Sequence, residues 1–160
     1  MVINQIWQLL ETVCDPEVPV LSILDLGIVR DVTEIKGQLV IQITPTYSGC
    51  PAMNVIEMEI RATLWEAGFK NVLIQSVLKP AWTTDWLSEN GKRKLEKYGI
   101  APPVTASGHV GTLFGRNPEV KCPQCGSKKT EMVSLFGSTA CKAFYKCLDC
   151  LEPFDYFKCL

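Results

Sequence analysis

Leu39-Val40-Ile41-Gln42-Ile43-Thr44-Pro45-Thr46-Tyr47-Ser48-Gly49-Cys50-Pro51 passes from one kind of periodicity to another. Leu39, Ile41 and Ile43 alternate with polar Gln42 and Thr44, the period-two signature of a half-buried strand. Pro45, Ser48, Gly49 and Pro51 then crowd a loop with turn-forming residues. After it Met53, Ile56, Ile60, Leu64 and Ala67 recur at helical spacing up to Gly68, a residue type suited to the C′ position. A strand, a tight loop and a helix thus follow one another here.

The flanks extend the pattern. Lys36-Gly37 predicts a hairpin turn back to a strand at about residues 28–35, which follows Gly27. Ile3, Ile6, Trp7, Leu10 and Val13 predict an amphipathic helix over residues 2–13, stopped by Asp15-Pro16-Glu17-Val18-Pro19. Downstream, Val72 to Leu78 reads as a third strand that Pro80 breaks. Residues 85–98 read as a helical region weakened at Gly91. The order α-β-β-α-β-α predicts an α+β, two-layer domain with a small mixed three-stranded sheet over residues 1–103. Proline and glycine crowding predicts a linker over 104–119, and residues 120–160 form a second, β-rich unit.

Composition excludes several functions. Hydrophobic residues make up 47% and charged residues 21% of the 160 residues, which supports a packed core and argues against disorder. Sixteen basic residues nearly cancel seventeen acidic ones, so nucleic-acid binding by bulk charge is not expected. No apolar run is long enough to cross a membrane, and the first residues lack the pattern of a signal peptide. A cytoplasmic location is therefore expected. No GxSxG, Walker A or GxGxxG motif is present, which removes support for hydrolase, NTPase and dinucleotide chemistry.

Six of the eight cysteines fall between Cys122 and Cys159. Cys122-Pro123-Gln124-Cys125-Gly126 and Cys147-Leu148-Asp149-Cys150 are two C-x-x-C pairs separated by 21 residues. Two residues between thiolates let a tight turn aim both sulfurs at one ion about 2.3 Å away, and two such turns complete a tetrahedron. Gly126 permits a left-handed conformation behind its knuckle. Met132, Val133, Leu135, Phe144, Tyr145, Phe154, Tyr156 and Phe157 supply strands. The tail therefore reads as a zinc ribbon with a structural metal, Zn by default, although four thiolates also hold a single Fe. Cys141 and Cys159 are either plain thiols or additional cluster ligands.

Cys50 stands at a predicted helix start, where unpaired amides and the helix dipole favour thiolate. It reads either as a small buried hydrophobe or as a metal-handling thiol. Asp15 and Glu17 are either turn residues or carboxylates of a site shared with Cys50. Cys14 reads as a buried helix residue or a second thiol there, with the former favoured.

The blocks Asp15-Pro16-Glu17-Val18-Pro19, Ser22-Ile23-Leu24-Asp25-Leu26-Gly27-Ile28-Val29 and Thr44 to Pro51, in that order, resemble the metal–sulfur cluster assembly factor (SufT-like) family over about the first hundred residues. Together with Lys79-Pro80-Ala81-Trp82-Thr83-Thr84-Asp85-Trp86, Gly99-Ile100-Ala101-Pro102-Pro103, Phe136 to Ala143 and the four-cysteine tail, the whole chain resembles the PaaD (PaaJ) family of phenylacetyl-CoA epoxidase systems. That resemblance implies a non-catalytic accessory protein of aerobic phenylacetate breakdown. It implies maturation of an iron–sulfur centre in a reductase or oxygenase subunit, through a transient Fe–S cluster at Cys50 with Asp15 and Glu17. The alternatives are an integral structural or electron-transfer subunit and, less well supported, a nucleic-acid-binding zinc ribbon. A homodimer stays open. The basic run Gly91 to Lys97 reads as a solvated helix face, His109 as a surface residue, and Trp82 and Trp86 as partly buried.

Overall fold

A computed structural model describes residues 2–104 and 118–158. Most of the expected linker, together with His109 and Cys159, lies outside the described residues. The chain divides into two compact units, one ending at Gly91 and one beginning at Lys92.

In the first unit, helix α1 (Val2–Glu11) buries Ile6 and Leu10, with Val13 buried just beyond it, while Ile3 is exposed. Strands β1 (Val29–Ile35) and β2 (Gln38–Ile43) pair antiparallel. Their turn places Lys36 at φ 51° and Gly37 at φ 76°, the two positive values of a hairpin turn whose twist matches its strands. Helix α2 (Ala52–Glu66) crosses back to β3 (Val72–Ser76), which pairs parallel to β2. The sheet order is β1-β2-β3, mixed as expected. Ile41, Ile43 and Ile74 from the sheet and Ala52, Ile56, Ile60 and Leu64 from α2 are buried, so the strand and helix periodicities mark core faces. Gly68, at φ 94°, follows α2, and its amide and that of Phe69 close the last turn on Trp65 O and Leu64 O.

The segment between α1 and β1 is held by a buried carboxylate. Asp25 N–H donates to Ser22 Oγ at 3.0 Å, and Ser22 N–H donates to Asp25 Oδ2 at 3.3 Å, a reciprocal box. Asp25 Oδ1 accepts from Ser88 Oγ at 2.9 Å and Asn90 Nδ2 at 3.1 Å. Ser88 Oγ in turn accepts from Gly91 N–H at the start of helix α3 (Glu89–Tyr98). The predicted helix over 85–98 is thus two pieces, a 3-10 turn at Thr84–Trp86 and α3, because the Ser88 amide is engaged by Asp25 O. Helix α3 runs through Gly91. A β-carbon there would come within 3.1 Å of Asp25 Cβ, so close approach explains the residue. Trp82 is buried, its indole donating to Leu26 O at 2.8 Å, and half-buried Trp86 carries the Arg30 guanidinium 3.8 Å above its ring.

Cys14 departs from expectation. It is exposed and lies past α1, paired through an isolated bridge with Ser22, because the chain has already left the helix at Thr12.

In the second unit, β4 (Ile100–Ala101) pairs parallel to β7 (Pro153–Phe157), and β6 (Lys142–Cys147) joins β7 to β5 (Thr130–Ser134) in the order β4-β7-β6-β5. Ile100 and Ala101, expected to belong with residues 1–103, thereby contribute a strand to the ribbon's sheet. Two residues carry too little pattern to reveal a strand whose partner lies over fifty positions away. Tyr145, Phe154 and Tyr156 form the small core, with ring centroids 5.5–5.8 Å apart.

Gly27 tests the packing of the first unit. It sits at φ 68°, and an added β-carbon would lie 2.3 Å from Trp86 O, whereas Gly37 has a similar φ and open space. Gly27→Ala is expected to cost about 3 kcal/mol or more and Gly37→Ala about 1 kcal/mol. Urea unfolding followed by tryptophan fluorescence checks this, since Trp7, Trp65, Trp82 and Trp86 all lie in the first unit. Equal losses would contradict the packing account.

Candidate functional site

Two loops carry the candidate chemistry, one in each unit. In the second unit, Cys122 N–H donates to Ser127 O and Gly126 N–H to Cys122 O, both at 2.9 Å, folding the first knuckle around Gly126 at φ 74°. The second knuckle closes through Cys147 N–H to Glu152 O at 3.0 Å. At the position matching Gly126 it has Leu151 at φ 65°, a left-handed conformation that costs a residue with a β-carbon about 1–2 kcal/mol. Ser127 Oγ donates to Asp149 Oδ2 at 2.6 Å and ties one knuckle to the other.

The four sulfurs of Cys122, Cys125, Cys147 and Cys150 lie within 4.8 Å of one another. Cys122 Sγ is 3.7 Å from Cys150 Sγ, and Cys125 Sγ is 3.6 Å from Cys147 Sγ. Four sulfurs held about 2.3 Å from a central ion at tetrahedral angles stand about 3.8 Å apart, so these separations fit an ion and are far too long for disulfides. This is a metal-binding four-cysteine cluster with the donor chemistry of soft, tetrahedral ions. All four positions of the tetrahedron are filled by protein, which leaves no open site for substrate.

Backbone amides tune the sulfurs unequally. Donation from the Cys150 amide, and then from that of Asp149, outweighs desolvation and holds the Cys147 thiol down to about 7. For Cys150 the Glu152 amide pulls downward, but desolvation and the crowding of Cys125, Cys147 and Cys122 push the thiol up to about 12. For Cys125 the Ser127 amide also pulls downward, yet desolvation and Cys147 leave the thiol raised.

In the first unit, the loop between β2 and α2 presents Cys50. Gly49 turns at φ 77°, Cys50 N–H donates to Tyr47 O at 3.2 Å, and Met53 N–H donates to Cys50 O at 3.3 Å. Pro51 takes the cap position of α2 with helical dihedrals and gives it no side-chain cap, which places Cys50 one residue before the cap. Cys50 is half-buried, neither sealed nor fully exposed. Ser48 and Gly49 beside it are exposed, and Thr46 and Tyr47 half-buried.

Asp15 lies in its own turn. Its Oδ1 accepts from Glu17 N–H at 2.7 Å and Val18 N–H at 2.9 Å, and its N–H donates to Leu21 O. The carboxylate is buried by this arrangement, while Glu17 is half-buried. Asp25, which sequence pattern did not single out, is the more deeply engaged carboxylate. The Ser22-x-x-Asp25 spacing is the signal that could have found it. Cys141 is buried, with Thr139 Oγ1 at 3.1 Å from its sulfur, and is not one of the four grouped sulfurs.

With the geometry established, relatives clarify the two loops. Residues 3–68 match the iron-sulfur cluster assembly protein family, and residues 106–158 match the PaaD zinc beta ribbon domain. A protein of Escherichia coli (strain K12), provisionally named as a subunit (the D component) of 1,2-phenylacetyl-CoA epoxidase, is 49% identical over 158 residues, covering 99% of this chain and 93% of its own. The chain belongs to the PaaD family. An Fe-S protein maturation auxiliary factor of Porphyromonas gingivalis is 34% identical over 94 residues, spanning 58% of this chain and 89% of its own. The crystal structure of a domain of unknown function, DUF59, from Bacillus anthracis superposes with a TM-score of 0.54 at 30% identity, covering 57% of this chain and 89% of that one. Cys50 thus falls in the portion of this PaaD-family chain that matches assembly proteins, and the four-cysteine cluster in the ribbon portion.

Protons compete with an ion for the four sulfurs. Cys125 and Cys150 are both raised, so at neutral pH binding an ion displaces at least two protons, and below about pH 7 Cys147 adds a third. Affinity is therefore expected to fall as pH falls, by at least about 100-fold per unit near neutrality and more steeply below. A chromophoric chelator titration between pH 8 and pH 5 measures this. Ion retention that does not change with pH would contradict four-thiolate ligation.

Proposed function

We propose that this chain is an accessory protein of a phenylacetyl-CoA epoxidase system that helps install iron–sulfur cargo in a client, the system's reductase foremost, and that Cys50 carries that cargo. The observation that supports this reading is the contrast between two sulfur environments in one chain. Four sulfurs stand at the spacing of a closed tetrahedron, while one half-buried thiol precedes a helix that has no side-chain cap.

In this reading the ribbon ion is Zn, and it holds the second unit together without entering the chemistry. Cys50 Sγ, as thiolate, forms one bond to iron of the cargo. A single thiolate is readily displaced by the several cysteines of a client, which makes delivery a ligand exchange rather than a redox step. Asp15 acts through the turn it braces, and Glu17 is the carboxylate assigned to the same site as the thiol. The chain is not a catalyst by itself, and its free thiols suit the reducing cytoplasm.

One observation favours a second reading. The Escherichia coli relative is named a subunit, which fits a stoichiometric structural or electron-transfer component of the epoxidase complex.

Cys50→Ser separates the readings. A strain carrying it is expected to accumulate reductase with at least tenfold lower cluster occupancy, while the purified variant keeps its fold and its ribbon ion. Cys14→Ser should leave occupancy unchanged. Full occupancy with Cys50→Ser would overturn the cargo role. Loss of epoxidase activity on removing this chain from already matured components would favour the subunit.

A further inference from the structure

We propose that the outer face of α2 is a docking surface for a partner protein that presents an apolar segment bordered on one edge by lysine or arginine. Helix α2 is apolar on two opposite faces. Ala52, Ile56, Ile60 and Leu64 are buried in the first unit. On the other side Val55, Met58, Ala62 and Trp65 follow at i, i+3, i+7 and i+10, which at 100° per residue confines them to about 80° of arc. All four are exposed: Val55 by 38%, Met58 by 65% and Trp65 by 58%, with Ala62 exposed between them. A contiguous exposed apolar stripe of this kind marks an interaction site.

The borders of the stripe specify the partner. Glu59 and Glu66 are exposed along one edge. On the opposite edge, Arg61 directs Nη1 to Val72 O at 3.0 Å and is turned toward β3. Lys70 Nζ lies 5.3 Å from the Trp65 ring and leaves most of it open. Charge along the stripe is thus divided, acidic on the Glu59–Glu66 edge and basic on the side of Arg61 and Lys70, and basic side chains on one flank of an apolar ridge complement the acidic edge.

Area argues against a second copy of this chain. The stripe offers roughly 350 Å², under half of the about 800 Å² per partner of a standard stable interface. An antiparallel pairing of two copies would also line Glu59 and Glu66 of both along one edge. A transient complex fits better, and Met and Trp are residues suited to adaptable contacts and binding hot spots. The stripe extends about 15 Å along the helix, beginning five residues after Cys50, so a partner seated on α2 lies alongside the loop that carries the thiol. This last step rests on the cargo role of Cys50; the docking surface itself does not.

The test offers purified reductase and oxygenase components of the organism's own epoxidase system to wild type, Met58→Ser/Trp65→Ala, Glu59→Lys/Glu66→Lys and Cys50→Ser. Equilibrium binding is measured at two salt concentrations, with the mass of each form in solution. The stripe variant is expected to bind at least one component tenfold or more weakly, with an unchanged unfolding midpoint. Charge reversal is expected to weaken binding and flatten its salt dependence, and Cys50→Ser to bind like wild type. Binding unaffected by the stripe variant, no binding by wild type, or a wild-type dimer abolished by the stripe variant would each overturn the proposal. Normal reductase maturation with Cys50→Ser, alongside lost binding in the stripe variant, would remove the cargo role and leave the docking surface standing.

Discussion

Four sulfurs brought to within 4.8 Å of each other cannot all be thiolates unless a cation sits among them. That constraint governs the ribbon. Its apolar core is a handful of side chains around Tyr145, Phe154 and Tyr156, too little to hold so short a β-rich segment unaided. The knuckles, the amide donation onto Cys147 and the Ser127–Asp149 tie all serve to converge the sulfurs before an ion arrives. Once occupied, such a site is saturated, and whatever exchangeable chemistry the molecule performs must be located elsewhere.

The first unit supplies a different environment by different means. Its sheet and α2 fix both ends of the loop that carries Cys50, so the thiol stands on a rigid frame without being enclosed by it. The turn between α1 and β1 depends on the buried Asp25 carboxylate, which receives donors from Ser22, Ser88 and Asn90 and so links distant parts of the unit. Buried carboxylates are costly unless satisfied, and this one is given neutral donors on both oxygens. The close approach of Gly27 to Trp86 belongs to the same junction.

Much of this was readable from residue pattern. Alternation in β2, helical spacing in α2, the Lys36-Gly37 turn and Gly68 are local signals, and each corresponds to the element expected. The two C-x-x-C pairs marked out the four sulfurs that the structure brings within 4.8 Å of one another. Features set by tertiary contact were not legible. Strand β4 exists through its pairing with β7, Gly91 is required by Asp25, and the division of residues 84–98 follows from a hydrogen bond to Asp25 O. Cys14 looked like the continuation of a helix that had already ended, and Leu151 occupies a conformation that composition would assign to glycine. Asp15 was ambiguous in sequence, and its two amide partners identify it as a turn-bracing carboxylate.

In the function proposed, one chain holds a metal it keeps and a thiol that lets its cargo go. Anaerobic loading with ferrous iron and sulfide, followed by a timed chelator challenge and metal counting, separates the two. Two kinetic classes are expected: a slow one abolished by Cys147→Ser and untouched by Cys50→Ser, and a fast iron class with the opposite dependence. A single class of metal, or a fast class that survives Cys50→Ser, would contradict it.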